Sequence, residues 1–358
     1  MIKMIEGTVK NIYFIDENIT KFIALIDNLE HNCINYNSLT GCIRLDDKVL
    51  LNTTAIELQL GTGGFHFVVA NLSNPMVNNL AQGHIMKMKY TPIQMNFMTV
   101  ETQESQYHHI FNEFESLDGM PVIIGSLHSV LAPSSIYLKS IRPELRICYI
   151  MTEGGALPIY MSDIVRQLKQ EGFIDKTITY GNSFGGDFEC INIYTALIAA
   201  KEIVRADIAI VCMGPGIVGT DTKLGFSGVE QGGIADAVNK LKGYAAVVPR
   251  ISFADKRIRH YGISHHSLTV LKQLCCTRVN VAFPIIKNTE YMKLIEKQIL
   301  ENNIESLHNI NYVDSYDIEE VLSNHSKYLK KMGKGLEEDR DYFISCAAAA
   351  KLCLRNLN

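Results

Sequence analysis

The sequence predicts an α/β protein: a Rossmann-like three-layer parallel sheet preceded by a small N-terminal β-barrel-like domain. Three observations predict it. The stretch Asp207–Thr220, DIAIVCMGPGIVGT, holds a nearly unbroken apolar run, Ile208–Met213, that ends abruptly in Gly214-Pro215-Gly216. A run of that kind is how a strand buried on both faces reads. From Pro121 onward, similar short apolar runs alternate with helix-length amphipathic segments, the signature of βα units. Before about residue 75 the short runs follow one another with only turn residues between them, as in a small barrel or sandwich.

The elements follow in order. Gly7–Ile15, Phe22–Ile26, Val49–Asn52, Ala55–Leu60 and Phe65–Ala70 read as strands, with turns at Asn35–Ser38 and Leu45–Asp47. Gly61–Gly64 resembles a phosphate cradle in letters, but between two strands it reads as a hairpin turn. These strands make a first domain, 1–75. A connecting segment, 76–120, follows. It carries the methionines Met76, Met86, Met88, Met95 and Met98, which suit gap-filling core positions. It closes with a predicted helix over Glu101–Ser116. The remainder, 121–358, is the α/β domain. Its predicted strands are Val122–Gly125, Arg146–Met151, Lys176–Tyr180, Ile208–Met213, Ala245–Pro249 and Val279–Phe283, with Asn311–Val313 as a late addition. Helices are predicted over Leu131–Lys139, Leu157–Gln170, Phe188–Val204, Val229–Lys242, His265–Leu274, Thr289–Glu301, Tyr316–Lys330 and Asp339–Leu354.

Parallel strands bring their carboxyl ends to one edge, which is where open α/β sheets bind ligands. The residues following the predicted strands are therefore the candidate site. Gly185, Gly186, Gly214, Gly216, Gly219 and Thr220 would present backbone N–H groups to an anion. The segment Arg250–His266, RISFADKRIRHYGISHH, gathers Arg250, Lys256, Arg257 and Arg259 against one acid, Asp255. Arg250 and Arg259 would neutralise the anion, with His260 and His266 beside it. Glu153, Asp187, His128 and His265 are the acid/base candidates, because both residue types can be tuned toward neutral pH. His265 and His266 are helix neighbours pointing about 100° apart. A metal set using both is therefore not expected. His260 with one of them and Asp255 or Glu153 is the zinc- or manganese-type alternative. No metal ligand is assigned and no cofactor is identified.

Several classes fall away. Gly214–Gly219 has G-x-G-x-x-G spacing, but Pro215 is unsuited to the tight dinucleotide turn, and no acidic strand end lies about 20 residues on. No Walker motif occurs, and Ser126 and Ser183 lack a nucleophile-elbow context. Cys212 lies inside a buried strand and reads as core. The Met332–Asp339 segment, MGKGLEED, reads as a helix-opening acidic turn that can also fold over the sheet edge.

Composition bounds the setting. The chain is 47% hydrophobic and 20% charged, with a formal net charge of −4. A mildly acidic chain carries no global field for nucleic acid or an anionic membrane. Its nine scattered cysteines contain no C-x-x-C, as expected of a reduced cytoplasmic protein. No apolar run approaches the ~20 residues of a membrane span, and no signal-peptide pattern is present.

The strings TEGGALP, GGDFECINIYTAL, MGPGIVGT, GFSGVEQGG, RISFAD, GISHHSLT and MGKGLEED, with LGTGGFHFVVANL near residue 60, resemble an uncharacterised bacterial family known only as a domain of unknown function. The resemblance covers essentially the whole chain. It implies a bacterial, cytoplasmic, single-polypeptide protein and carries over no catalytic or binding residue. The functional expectation is an enzyme acting on a small anionic or phosphorylated metabolite at the strand carboxyl edge. The alternative is a non-catalytic nucleotide- or metabolite-binding sensor or complex subunit. A homo-oligomer is compatible with either.

Overall fold

The computed structural model describes residues 1–61 and 63–357. The chain divides into two compact units, Met1–Phe97 and Met98–Asn358. In the first, β1 (Met4–Ile15), β2 (Ile19–Ile26), β3 (Leu29–Tyr36), β4 (Lys48–Asn52) and β5 (His66–Asn71) close into a barrel in the order β1-β2-β3-β5-β4. Val9, Phe22, Ala24, Cys33, Val49 and Leu51 fill its interior with no exposure. A Cβ at Gly7 would come within 2.8 Å of Leu51 Cδ1, so a larger residue in this wall would have to push the Leu51 side chain aside. Short helical turns, α1 (Asn37–Thr40) and α2 (Thr54–Glu57), link the strands, and a hairpin of β6 (Ile85–Lys87) and β7 (Met95–Phe97) ends the unit.

Two sequence expectations fail here. Leu29–Tyr36 is a strand although its first half, Leu-Glu-His-Asn, is polar or exposed; register with β2 rather than burial holds it. Ala55–Leu60 alternates like a strand, yet Leu58 and Leu60 lie exposed and the chain forms the α2 turn. The Gly61–Gly64 stretch therefore joins a helical turn to β5 rather than two strands, and Thr62 within it lies outside the described residues.

The second unit opens with a short helix, α3 (His108–Glu113), well under half the span that its apolar stripe predicts. The preceding residues are held in turns instead, with the Thr102 hydroxyl donating to the Thr99 carbonyl at 2.8 Å. An eight-stranded sheet follows. Its strands are β8 (Pro121–Ile124), β9 (Ile147–Thr152), β10 (Lys176–Tyr180), β11 (Phe188–Cys190), β12 (Ile208–Met213), β13 (Tyr244–Val247), β16 (Asn280–Pro284) and β17 (Asn309–Val313). The order is β11-β10-β9-β12-β8-β13-β16-β17, with every pairing parallel. A two-stranded ribbon, β14 (Ile251–Ser252) with β15 (Gly262–Ile263), branches off after β13. β12 lies between β9 and β8, and all six of its residues are buried, as its apolar run requires.

The helices are α4 (Leu131–Ile141), α5 (Asp163–Gln170), α6 (Ile193–Ile198), α7 (Glu230–Lys240), α8 (His265–Thr269), α9 (Thr289–Glu301), α10 (Ile304–Leu307), α11 (Tyr316–Asn324) and α12 (Arg340–Arg355). α4, α5, α11 and α12 pack on one face. α6, α7 and α9 pack on the other. Right-handed crossovers produce this split, because β8 and β9 are left in one direction across the sheet and β12 and β13 in the other. Ala347–Ala350 of α12, all fully buried, let it lie close under the sheet.

Two helix starts are later than expected. Ser162 caps α5, accepting the Val165 amide, so the helix begins at Asp163 and not at Leu157. Asn192 forms a capping box at α6, and Phe188–Cys190 ahead of it pairs with β10 as an edge strand. Among the described residues, no helix is long and apolar enough to cross a membrane.

Candidate functional site

The helices after β8 and β12 lie on opposite faces, so the sheet opens into a crevice at the carboxyl ends of these neighbouring strands. A cleft of about 500 Å³ occupies it. Leu127–Ser129 after β8 and Gly214–Ile217 after β12 form its floor. Asp163, Ile164 and Gln167 of α5 form one wall, and Lys327, Tyr328 and Lys330–Met332 form the other.

His128 anchors the floor. Its Nδ1 lies 3.2 Å from the Met213 carbonyl oxygen, and its Nε2 lies 2.7 Å from Ser162 Oγ. The carbonyl can only accept, so Nδ1 carries the proton and the Ser162 hydroxyl donates to Nε2. Burial pushes the imidazole down to about 4, so at neutral pH it is uncharged. Gly216 has φ +109°, a conformation closed to other residues without strain. Among the described residues, the Gly216 and Ile217 amides donate to no protein acceptor, whereas the Val218 amide donates to Ser227 Oγ at 3.1 Å.

Positive charge gathers on the opposite wall. Lys327 and Lys330 are exposed and enter no ion pair among the described residues. Lys331 is only 5% exposed. It is ion-paired with buried Asp339 and lies 4.0 Å from the Tyr342 ring centre. Burial lowers its pKa, and Asp339 opposes that shift. Asp339 also accepts the Ser252 hydroxyl at 2.7 Å, while Lys334 Nζ donates to the Ala254 carbonyl. These contacts dock Lys331–Asp339 against the chain that follows β13. Among the described residues, Asp163 is the only carboxylate lining the cleft, and it is paired with Arg166 at 2.7 Å.

A second cluster lies beside it. β14 and β15 close the loop between them, so the His260 ring returns to the start of α8 and sits 4.9 Å from the ring of His265 and 5.0 Å from that of His266. His266 stacks on Phe226 at 3.8 Å and lies against Gly219, which links the cluster to the β12 loop. Arg250 is buried and bonded to Asp255 at 3.0 Å, and Arg257 bonds the same carboxylate at 2.8 Å. Arg259 pairs with Asp221.

The structure thus brings His128, Gly214 and Gly216 into one cleft, and Gly219, Arg250, Arg259, His260, His265 and His266 into an adjoining cluster. Thr220 is exposed and closes its own turn, its amide donating to the Gly225 carbonyl at 2.8 Å. The loop from Gly214 does not run directly into a helix as glycine spacing suggests; it makes an excursion closed by a Gly219–Phe226 bridge before the chain turns helical at Ser227.

Three assigned residues lie elsewhere. Asp187 accepts from the Thr177 amide at 2.7 Å and binds Lys169, which puts it beside the amino end of β10, at the opposite edge of the sheet. Gly185 and Gly186 spend their amides inside the protein, on Glu189 Oε1 and Thr179 Oγ1. The physical reason is that the chain after β10 doubles back to start β11 in parallel register, so a loop that begins at the carboxyl edge ends at the other.

Glu153 does remain at the carboxyl edge, exposed after β9, and accepts the Asn182 amide at 3.3 Å. Its neighbour Glu230 escaped sequence reasoning. That carboxyl accepts the Thr152 hydroxyl at 2.6 Å, and burial, with a smaller contribution from Glu153, raises its pKa. Ser162 and Lys327–Lys331 also went unassigned. The signal for Ser162 was its position as an Asp-preceding helix cap, and for the lysines the dense run KYLKKMGK.

No curated protein matches this sequence significantly. The family model described as "Protein of unknown function (DUF3866)" matches residues 32–350, a span running from within the barrel through nearly the whole sheet and its helices, including both clusters above; the chain belongs to this family.

Proposed function

We propose that the chain is an enzyme that binds a small anionic or phosphorylated metabolite in the crevice between β8 and β12. The supporting observation is the unbalanced positive charge of that cleft: exposed Lys327 and Lys330 face a floor with two uncommitted amides, and its one carboxylate is already neutralised by Arg166. Amides and ammonium groups together suit a phosphate or carboxylate. His128, held neutral with its proton on Nδ1, is a hydrogen-bonding acid/base candidate at the floor. The setting is a bacterial cytoplasm, in keeping with nine cysteines all present as free thiols.

A thermal-shift series at constant ionic strength, with phosphate, sulfate, carboxylates and nucleotides, tests the binding. A ligand at a hundred times its Kd stabilises by about 2.7 kcal/mol. We expect at least one anion to raise the wild-type midpoint clearly more than that of Lys330→Ala. Equal shifts in the two proteins for every anion would remove the cleft from consideration. Turnover of the bound ligand, followed by mass spectrometry, separates an enzyme from a sensor.

A further inference from the structure

We propose that His260, His265 and His266 bind one divalent transition-metal ion of the zinc class, leaving an open position for water or an anion. This inference goes beyond the anion cleft and does not rest on it. It starts from an imbalance in hydrogen bonding. One potential ligand atom from each ring lies within 4.8 Å of the other two. None of the three rings is ion-paired with a carboxylate: Asp255 is engaged by Arg250 and Arg257, and Asp221 by Arg259. His265 Nε2 is buried without any partner. Buried nitrogens are normally satisfied, and leaving one unpaired costs about 1–3 kcal/mol. Three packed imidazoles, none facing a carboxylate and one with a buried unpartnered nitrogen, are poorly explained as core. They are well explained as three lone pairs awaiting a cation.

The local architecture supports that use. His260 is 2% exposed, and its Nδ1 lies 2.7 Å from Ser264 Oγ, leaving Nε2 as its free atom. Ligating histidines commonly use the second ring nitrogen in this way. The stack on Phe226 fixes the plane of His266. Adjacent helix positions normally diverge, but His265 and His266 occupy the first turn of α8, where the returning loop sets His260 against both. Arginines nearby, after burial itself, help keep the rings unprotonated, the state that a metal requires.

Ligand type then selects the ion. Three imidazoles suit zinc, copper, iron or nickel better than magnesium or calcium. Three protein ligands with one open place are the pattern of catalytic rather than structural zinc. Tetrahedral ligation at about 2.0–2.1 Å needs nitrogens roughly 3.4 Å apart, so ligand atoms now within 4.8 Å of one another must close by up to about 1.4 Å. A neighbouring cleft of about 410 Å³, lined by His265, Lys223, Arg259 and Lys272 among others, supplies access. Its cationic lining favours an anionic fourth ligand.

The test uses the full chain, stripped with a chelator and then freed of it. Titration with Co²⁺ alone, followed by visible absorption, should show one bound equivalent with nitrogen-type spectra, displaced by Zn²⁺. His265→Ala and His266→Ala should each weaken binding by at least about tenfold, with far-UV circular dichroism reporting that each is folded. The wild-type titration stands without the variants. Absence of a bound-cobalt spectrum overturns the proposal, as does a thiolate charge-transfer band marking cysteine ligation. Affinity within twofold of wild type in both folded variants also overturns it. So does a phosphate-induced thermal shift lost in these variants without cobalt binding, which would mark a metal-free anion site.

Discussion

His128 shows how one residue couples the site to stability. In the unfolded chain an imidazole takes up a proton near pH 6.5, whereas in the folded protein it does so only near 4, because burial penalises the cation. Between these values the unfolded state binds the extra proton. Its contribution to stability is therefore complete above about pH 6.5 and is lost as the pH falls toward 4, by up to about 3 kcal/mol. His260, pushed down to about 3, and His266, to about 4, share the window, each chiefly through burial. We expect urea melts from pH 7 to 4 to show a steep loss of stability that is visibly shallower in His128→Gln. Parallel pH profiles for the two proteins would show that the imidazole stays protonated or solvated at this position. The sequence placed His128 just after a strand end. It did not show Ser162, which arrives from α5 at 34 residues' separation to fix the ring's tautomer.

At the scale of the element, the segment joining α11 to α12 shapes the cleft through one buried ion pair. Lys331 and Asp339 are 5% and 4% exposed, and Asp339 also holds the Ser252 hydroxyl. Such a pair adds little net stability, because desolvation offsets the attraction, but removing one partner strands a buried charge. Lys331→Met should therefore cost about 3–5 kcal/mol in chemical denaturation. Lys331→Met combined with Asp339→Leu should recover most of that loss. A double variant as unstable as the single one would show that shape, rather than charge, secures the segment. MGKGLEED could be read as a turn able to fold over the sheet edge, yet the contact of its Asp339 with the preceding Lys331 could not, since seven residues of irregular backbone lie between the partners. The same limit applies to the segment after β10. Glycines at 181, 185 and 186 look alike in sequence, but only the return of the chain into the parallel register of β11 decides that the amides of the last two are spent on Glu189 and Thr179 and that Asp187 reaches the amino end of β10.

At the scale of the whole molecule, the cysteines report how completely the two units are packed. Six of the nine are buried, Cys275 is half-buried, and only Cys42 and Cys276 are exposed. Burial pushes the thiols of Cys33, Cys275 and Cys346 up to about 12, which leaves almost no reactive thiolate at neutral pH. A thiol reagent should therefore label two cysteines quickly in the native protein and all nine after denaturation. Fast reaction of five or more would show that the α/β core opens readily. The same burial explains what could be read before folding. Strand and helix type in 121–358 follow from hydrophobic period, because a doubly covered parallel sheet forces apolar runs such as Ile208–Met213 and leaves amphipathic stripes on its helices. The carboxyl-edge position of His128, Glu153, Gly214 and Arg250 followed from the same alternation. In the barrel, where strands are half-exposed and curved, β3 and α2 escaped the period. Which edge residues meet was decided only by tertiary structure. Strand order set β12 beside β8 and opened the crevice there, and the β14–β15 ribbon folded His260 back onto His265 and His266. Those contacts join residues distant in sequence or divergent in local geometry, and local periodicity carries no information about them.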